Sequence, residues 1–160
     1  MKSRKACTIR PATAADGDAM LALMPRLSDF DVSDFRVPEH LWRDDADLLR
    51  DWIAGNVDDC FVHVAEDNDG VIQGMTLVRM RAEALSHEPS SHLEAIVVAK
   101  EAEGKGVAKA LLAAAEEEAV RQGAQTMTLN VICTNVRARR FYERSGYDGE
   151  MIRYIKPIGD

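Results

Sequence analysis

The stretch Ala95–Val120, AIVVAKEAEGKGVAKALLAAAEEEAV, decides how this chain is read. A short apolar run gives way to charge and glycine, and an alanine-rich amphipathic pattern begins at once. This predicts a buried strand, a tight turn and a helix from about Gly106 to Gln122, with Gly123 closing it. Gly104 and Gly106 flank Lys105 at the junction. Glycine costs backbone entropy, so two of them so close together need a reason. One reading is a turn that simply requires glycine. The other is an anion site, because a helix N-terminus presents unpaired N–H groups and the positive end of its dipole, and glycine lets a ligand lie against the backbone. Lys105 and Lys109 add positive charge. A Walker loop is excluded because Ala110 follows Lys109 where Ser or Thr is needed, and a dinucleotide fingerprint is excluded because its third glycine is missing.

Outward from this junction the pattern alternates between sheet and helix. Upstream, CTIRPAT reads as a short strand ended by Pro11, and ATAADGDAMLALMPRL as a helix with Met20, Leu21, Leu23 and Met24 as its apolar positions. Residues 28–40 lack any period and read as a loop. Leu41, Trp42, Leu48, Leu49, Trp52 and Ile53 recur at helical spacing, with Gly55 as a stop. DCFVHVAED and GVIQGMTLVRM read as two strands joined by hairpin chemistry, and SHLEAIVVA as a third. Downstream, TMTLNVI alternates Met127, Leu129 and Val131 on one face. NVRARRFYERSG reads as a short helix capped by Asn135, and GEMIRYIKP as a last strand. The expected fold is α/β, a mixed central sheet flanked by helices, in one domain over residues 1–160.

With 160 residues and a formal net charge of −7, the chain is long enough for one core and too acidic for broad nucleic-acid binding. No apolar run approaches a membrane span, and no signal-peptide core follows the basic start MKSRKACTIRP, so a cytoplasmic protein is expected. Cys7, Cys60 and Cys133 are dispersed and odd in number. Together with His40, His63, His87 and His92 they show no metal-ligand spacing, so no metal is expected.

The segment VVAKEAEGKGVAKALL resembles the acyl-CoA-binding motif [QR]-x-x-G-x-[GA] of the Gcn5-related N-acetyltransferases (GNAT). It is read here as Glu103-Gly104-Lys105-Gly106-Val107-Ala108, with Gly106 and Ala108 at the small positions. Glu103 stands where that family prefers Gln or Arg, and is expected to point away from the ligand, whose main contacts are backbone amides. NVRARRFYERSGY is similar to the family's next block, through Asn135, Ala138, Phe141, Tyr142, Gly146 and Tyr147, and TIRPATAADGDAM resembles its first strand and turn. The resemblance implies a GNAT acyl-CoA N-acyltransferase fold and direct acetyl transfer from acetyl-CoA to a primary amine. It implies backbone contacts to the pantetheine arm from Ile96, Val97 and Val98. The pyrophosphate would lie on Gly104, Lys105, Gly106, Val107, Ala108 and Lys109, with Asn135 on the cofactor arm and Tyr142 as general acid.

Direct transfer needs a neutral amine, a polarised carbonyl and a proton for the leaving thiolate. Strand alternation puts Leu93, Ala95 and Val97 on one face and His92, Glu94, Ile96 and Val98 on the other. A carboxylate among so many apolar residues is costly to bury, which marks Glu94 as the candidate base against the plainer reading of a salt-bridged or edge-exposed glutamate. His92 and His87 are weaker alternatives, Phe141 is read as packing, and Cys133 as a buried thiol. The acids Asp29, Asp31, Asp34, Asp44, Asp45 and Asp47 lie where the family's acceptor binds. They suit a cationic small-molecule amine, a peptide N-terminus or a lysine, and equally a solvated loop. The tail after Tyr147 is short for two long strands, so either a tight hairpin or a partner subunit completes the sheet edge, and a homodimer is expected. An acyl-CoA-sensing module with little catalysis is the alternative; it would need the glycine turn but neither Tyr142 nor a base.

Overall fold

The computed structural model describes residues 6–159, in two units, residues 6–130 and 131–159. The basic run Lys2–Lys5 lies outside the described residues. In the first unit, β1 (Thr8–Pro11), β2 (Cys60–Glu66), β3 (Ile72–Ala82), β4 (Pro89–Val98) and β5 (Thr126–Leu129) form one sheet in chain order. The first four strands are antiparallel neighbours, and β5 joins β4 in parallel after the helical crossover that parallel pairing requires.

Helix α1 (Gly17–Leu23) tightens into a 3₁₀ turn, Met24–Ser28, as Pro25 enters, and α2 (Arg43–Ile53) follows a shorter 3₁₀ turn at Pro38–Leu41, within what reads as loop. The apolar stripes of α1 and α2 close over one face of the sheet. Met20, Met24 and Leu49 are fully buried there with Val64, Met75 and Leu77. Helix α3 (Val107–Arg121) covers the other face, where Val107 and Leu111 pack with Ala65, Ala99 and Ala102. That helix comes close because Gly74 of β3 has no side chain. A Cβ there would sit 2.9 Å from the Val97 carbonyl oxygen and 3.0 Å from a Leu111 methyl.

The ladder between β3 and β4 is broken once. Leu77 pairs with Ala95 and Val78 with Leu93, so Glu94 is an extra residue, a β-bulge. Strict alternation therefore fails at Glu94. Ala95 opposes Leu77 on the α2 side and Leu93 opposes Val78 on the α3 side. Glu94, next to Leu93, thus turns to the α2 side along with Ala95, Val97 and His92, while Ile96 and Val98 face α3.

In the second unit, Asn135 caps α4 (Val136–Arg144), its side chain accepting the Ala138 N–H at 3.3 Å, and Gly146 ends it with φ 91°. β5 stops at Leu129, short of the expected Val131. The expected last strand does not form. Residues 148–159 carry no regular structure, and Met151, Ile152, Tyr154 and Ile158 are strongly exposed. Alternating apolar residues make a strand only when a partner ladder satisfies their N–H and C=O groups, and none among the described residues pairs with them. Among the described residues no helix is long and apolar enough to cross a membrane.

Candidate active site

The glycine turn joins β4 to α3. Gly104 and Gly106 have φ of 71° and 79°, the left-handed region that favours glycine. Nothing lies within 4 Å of where a Cβ would stand on either, so this backbone borders open space. The first N–H bonded within α3 is that of Ala110, to the Gly106 carbonyl at 3.1 Å. The amides of Val107, Ala108 and Lys109 precede it and have no intrahelical partner, and no side chain caps them. Lys105 and Lys109 are exposed beside them, whereas the Val107 side chain is buried in the core and only its amide faces the turn. The turn needs left-handed residues, and it leaves unpaired amides beside open space, which is what an anion site requires.

β4 leads into this turn with an open edge. β5 pairs only with Ser90–Leu93, so beyond Leu93 no strand among the described residues borders β4 on that side. The Ala99 N–H donates to the Gln73 carbonyl at 2.8 Å. By antiparallel alternation Val97 then turns its backbone groups toward β3, and Ile96 and Val98 turn theirs to the open edge. The main-chain groups of Ile96 and Val98 thus face the open edge, and Val97 packs in the core.

On the α2 side of β4, Glu94 is half-buried, and burial pushes its carboxyl above the usual range despite Arg81 and Arg79 nearby. Asp45 of α2 is pushed up to about 7, first by burial, then by the charges of Glu94 and Asp44. Sequence reading had placed Asp45 only within a run of acids. Its signal was the helical stripe: Asp45 stands three, four and seven residues before Leu48, Leu49 and Trp52. Arg79 is engaged by Asp59 at 2.7 Å. His92 is buried, not a surface residue, with Nδ1 2.7 Å from Thr128 Oγ1 and its pKa lowered to about 4 by burial and Arg81, so the ring is neutral and already in use. His87, with φ 61°, belongs to the turn between β3 and β4.

A further residue that sequence reading missed is Arg26, in the turn after α1. Its Nε donates to the Val98 carbonyl at 2.8 Å, Nη1 to Asp29 at 3.0 Å, and Nη2 to Glu103. Glu103 is therefore half-exposed and held by a guanidinium, not directed into solvent.

Within the second unit, the Tyr142 ring lies 5.3 Å from that of Phe141 and 5.9 Å from that of Tyr147. Burial pushes the Tyr142 phenol up to about 12, so it keeps its proton at neutral pH. Cys133 is exposed, contrary to the expectation of a buried thiol.

The sequence pattern of the acetyltransferase (GNAT) family matches residues 24–147. The aminoalkylphosphonate N-acetyltransferase of Salmonella typhimurium is 29% identical over 153 residues, covering 95% of this chain and 92% of the relative. Among solved structures, a putative acetyl transferase from Pyrococcus furiosus superposes with a TM-score of 0.77 at 23% identity, over 95% of this chain and 99% of that one. The aminoglycoside N-acetyltransferase AAC(6')-Iy in complex with CoA superposes with a TM-score of 0.70 at 18% identity, over 96% of this chain and 95% of that one.

Proposed function

The chain belongs to the acetyltransferase (GNAT) family and is an N-acetyltransferase, and from that premise we propose that it moves an acetyl group from acetyl-CoA directly to a primary amine of a small molecule or peptide, as one GNAT domain over residues 1–160. One observation carries the reading: an open strand edge runs straight into left-handed glycines and the uncapped amides of α3. The edge offers an extended thioester arm the N–H and C=O groups of Ile96 and the N–H of Val98, whose carbonyl accepts from Arg26, and the arm ends where a pyrophosphate meets the amides from Gly104 to Lys109, with Lys105 and Lys109 beside them. Asn135 contacts the arm in this reading.

In the reaction, a backbone N–H of the β4 edge polarises the thioester carbonyl. Glu94, on the bulge and desolvated, takes the proton of the attacking ammonium, directly or through water. The amine lone pair forms the new C–N bond, the C–S bond breaks, the Tyr142 phenol protonates the leaving thiolate, and the second proton of the amine nitrogen passes back to Tyr142, directly or through water. The acid pair Asp45 and Glu94, on the α2 side, favours a cationic acceptor, and the aminoalkylphosphonate enzyme among the relatives supports a small amine. The acetyl donor, a homodimer and a cytoplasmic location belong to the same proposal.

The test is release of CoA thiol from acetyl-CoA across small amines, aminoglycosides, amino acids and peptide N-termini. Release that depends on one acceptor class is expected. Tyr142→Phe should lower turnover by about a hundredfold, the scale of one general acid, and leave CoA affinity nearly intact. Unchanged turnover would remove Tyr142 from the mechanism.

A further inference from the structure

The position where the acyl-CoA motif usually carries Gln or Arg is occupied by an acid, and the structure shows what stands against that acid. Glu103 is bound by the guanidinium of Arg26, which comes from the other side of the sheet, from the turn after α1. The same guanidinium caps the Val98 carbonyl at the end of the open β4 edge and reaches Asp29 at the start of the following loop. It is mostly buried, its side chain 23% exposed. A guanidinium has five N–H donors in a fixed fork. Three contacts hold it, one through each nitrogen, and leave donors over.

We propose that Arg26 is the phosphate-reading residue of this site: held by Glu103 and Val98 between the strand edge and the glycine turn, it directs its remaining donors at the pyrophosphate of the acyl donor. This rests on the acetyl-CoA reading above. The N–H donors that the motif carries within the turn as Gln or Arg are here supplied from a distant segment, and Glu103 anchors them. An arginine is suited to the task, because its planar fork can bind a carboxylate on one side and a phosphate oxygen on another. The arrangement also joins the donor site to the loop that begins at Asp29, although phosphate reading alone sets the test.

The experiment compares donors with and without the phosphates. Dissociation constants for CoA are measured by titration calorimetry on the wild-type protein, Arg26→Gln and Arg26→Lys, and kcat/KM is measured for S-acetylpantetheine with each. Arg26→Gln is expected to weaken CoA binding by roughly tenfold, the size of one charge-assisted hydrogen bond, and to lower kcat/KM for S-acetylpantetheine by a clearly smaller factor, through the lost Val98 contact alone. Arg26→Lys keeps the charge but not the fork and should recover part of the lost CoA affinity. CoA affinity equal in wild type and Arg26→Gln overturns the proposal, as does an equal loss for S-acetylpantetheine, which would make Arg26 a residue of the fold alone. A wild-type protein that does not bind CoA at all would overturn the acetyl-CoA reading itself, which is a different result.

Discussion

Asp16 and Asp45 are both aspartates at the start of helical segments on the same layer of the molecule, and their chemistry runs in opposite directions. Asp16 accepts two hydrogen bonds from Arg10, at 2.8 and 2.9 Å, and the Thr13 N–H at 2.8 Å. The hydrogen bonds from Arg10 outweigh burial and bring its carboxyl down to about 2. Asp45 has burial without a cation, beside Glu94 and Asp44, and is raised to about 7. The same side chain is a structural tie where a guanidinium reaches it and a proton-holding group where it is buried among acids alone. The paired acid stabilises the fold. The unpaired acids cost stability at neutral pH, and such sites persist where function needs them.

The largest expected effect lies on the unpaired side. Glu94→Gln should lower kcat/KM by about a hundredfold if Glu94 is the base. It also removes one of the charges that keep Asp45 protonated, so the Asp45 carboxyl, followed by carbon NMR, should titrate below about 7. An unchanged kcat/KM would take Glu94 out of the mechanism.

Next comes the paired side. Asp16→Asn should cost about 1–2 kcal/mol in urea unfolding at pH 7, a figure reduced for the one-third exposure of Arg10. Because the folded pKa of Asp16 lies below the unfolded one, its contribution is complete above about pH 4 and is lost as the pH falls toward 2. The wild-type and variant stability curves should therefore converge in acid. A constant gap down to pH 2 would show that the loss comes from packing and not from the ion pair.

The smallest effect has the opposite sign. Asp45→Asn should raise Tm at pH 8 by about 2–4 °C. A raised folded pKa means the native state still holds a proton that the unfolded chain has lost, so wild-type stability declines from about pH 4 up to about pH 7. The gain in the variant should accordingly vanish near pH 4. A lower Tm at pH 8 would mean that Asp45 has a cationic partner after all, and the contrast with Asp16 would fail.

Local chemistry explains which parts of this were legible in the sequence. The order of strands and helices through Leu129, the left-handed glycines 104 and 106, the Asn135 cap and the apolar stripe of Met20 and Met24 all follow from periodicity and turn residues. These are short-range effects written in neighbouring positions. The family was legible for a related reason, since its motif is a backbone requirement of one continuous turn.

Three things were not legible, and each depends on a partner far away along the chain. The facing of Glu94 came from one extra residue in a ladder, which strict alternation cannot anticipate. The alternating tail after Tyr147 reads as a strand but has no ladder to join, because a strand is a property of a pair and not of a segment. Arg26 and Glu103 lie 77 positions apart, as do many of the contacts that set a charge's sign and strength. Sequence by itself determined which segments would be buried and where the backbone had to turn. Only the tertiary structure decided which charged groups meet, because Coulomb interactions act through space and the chain is folded before they are felt.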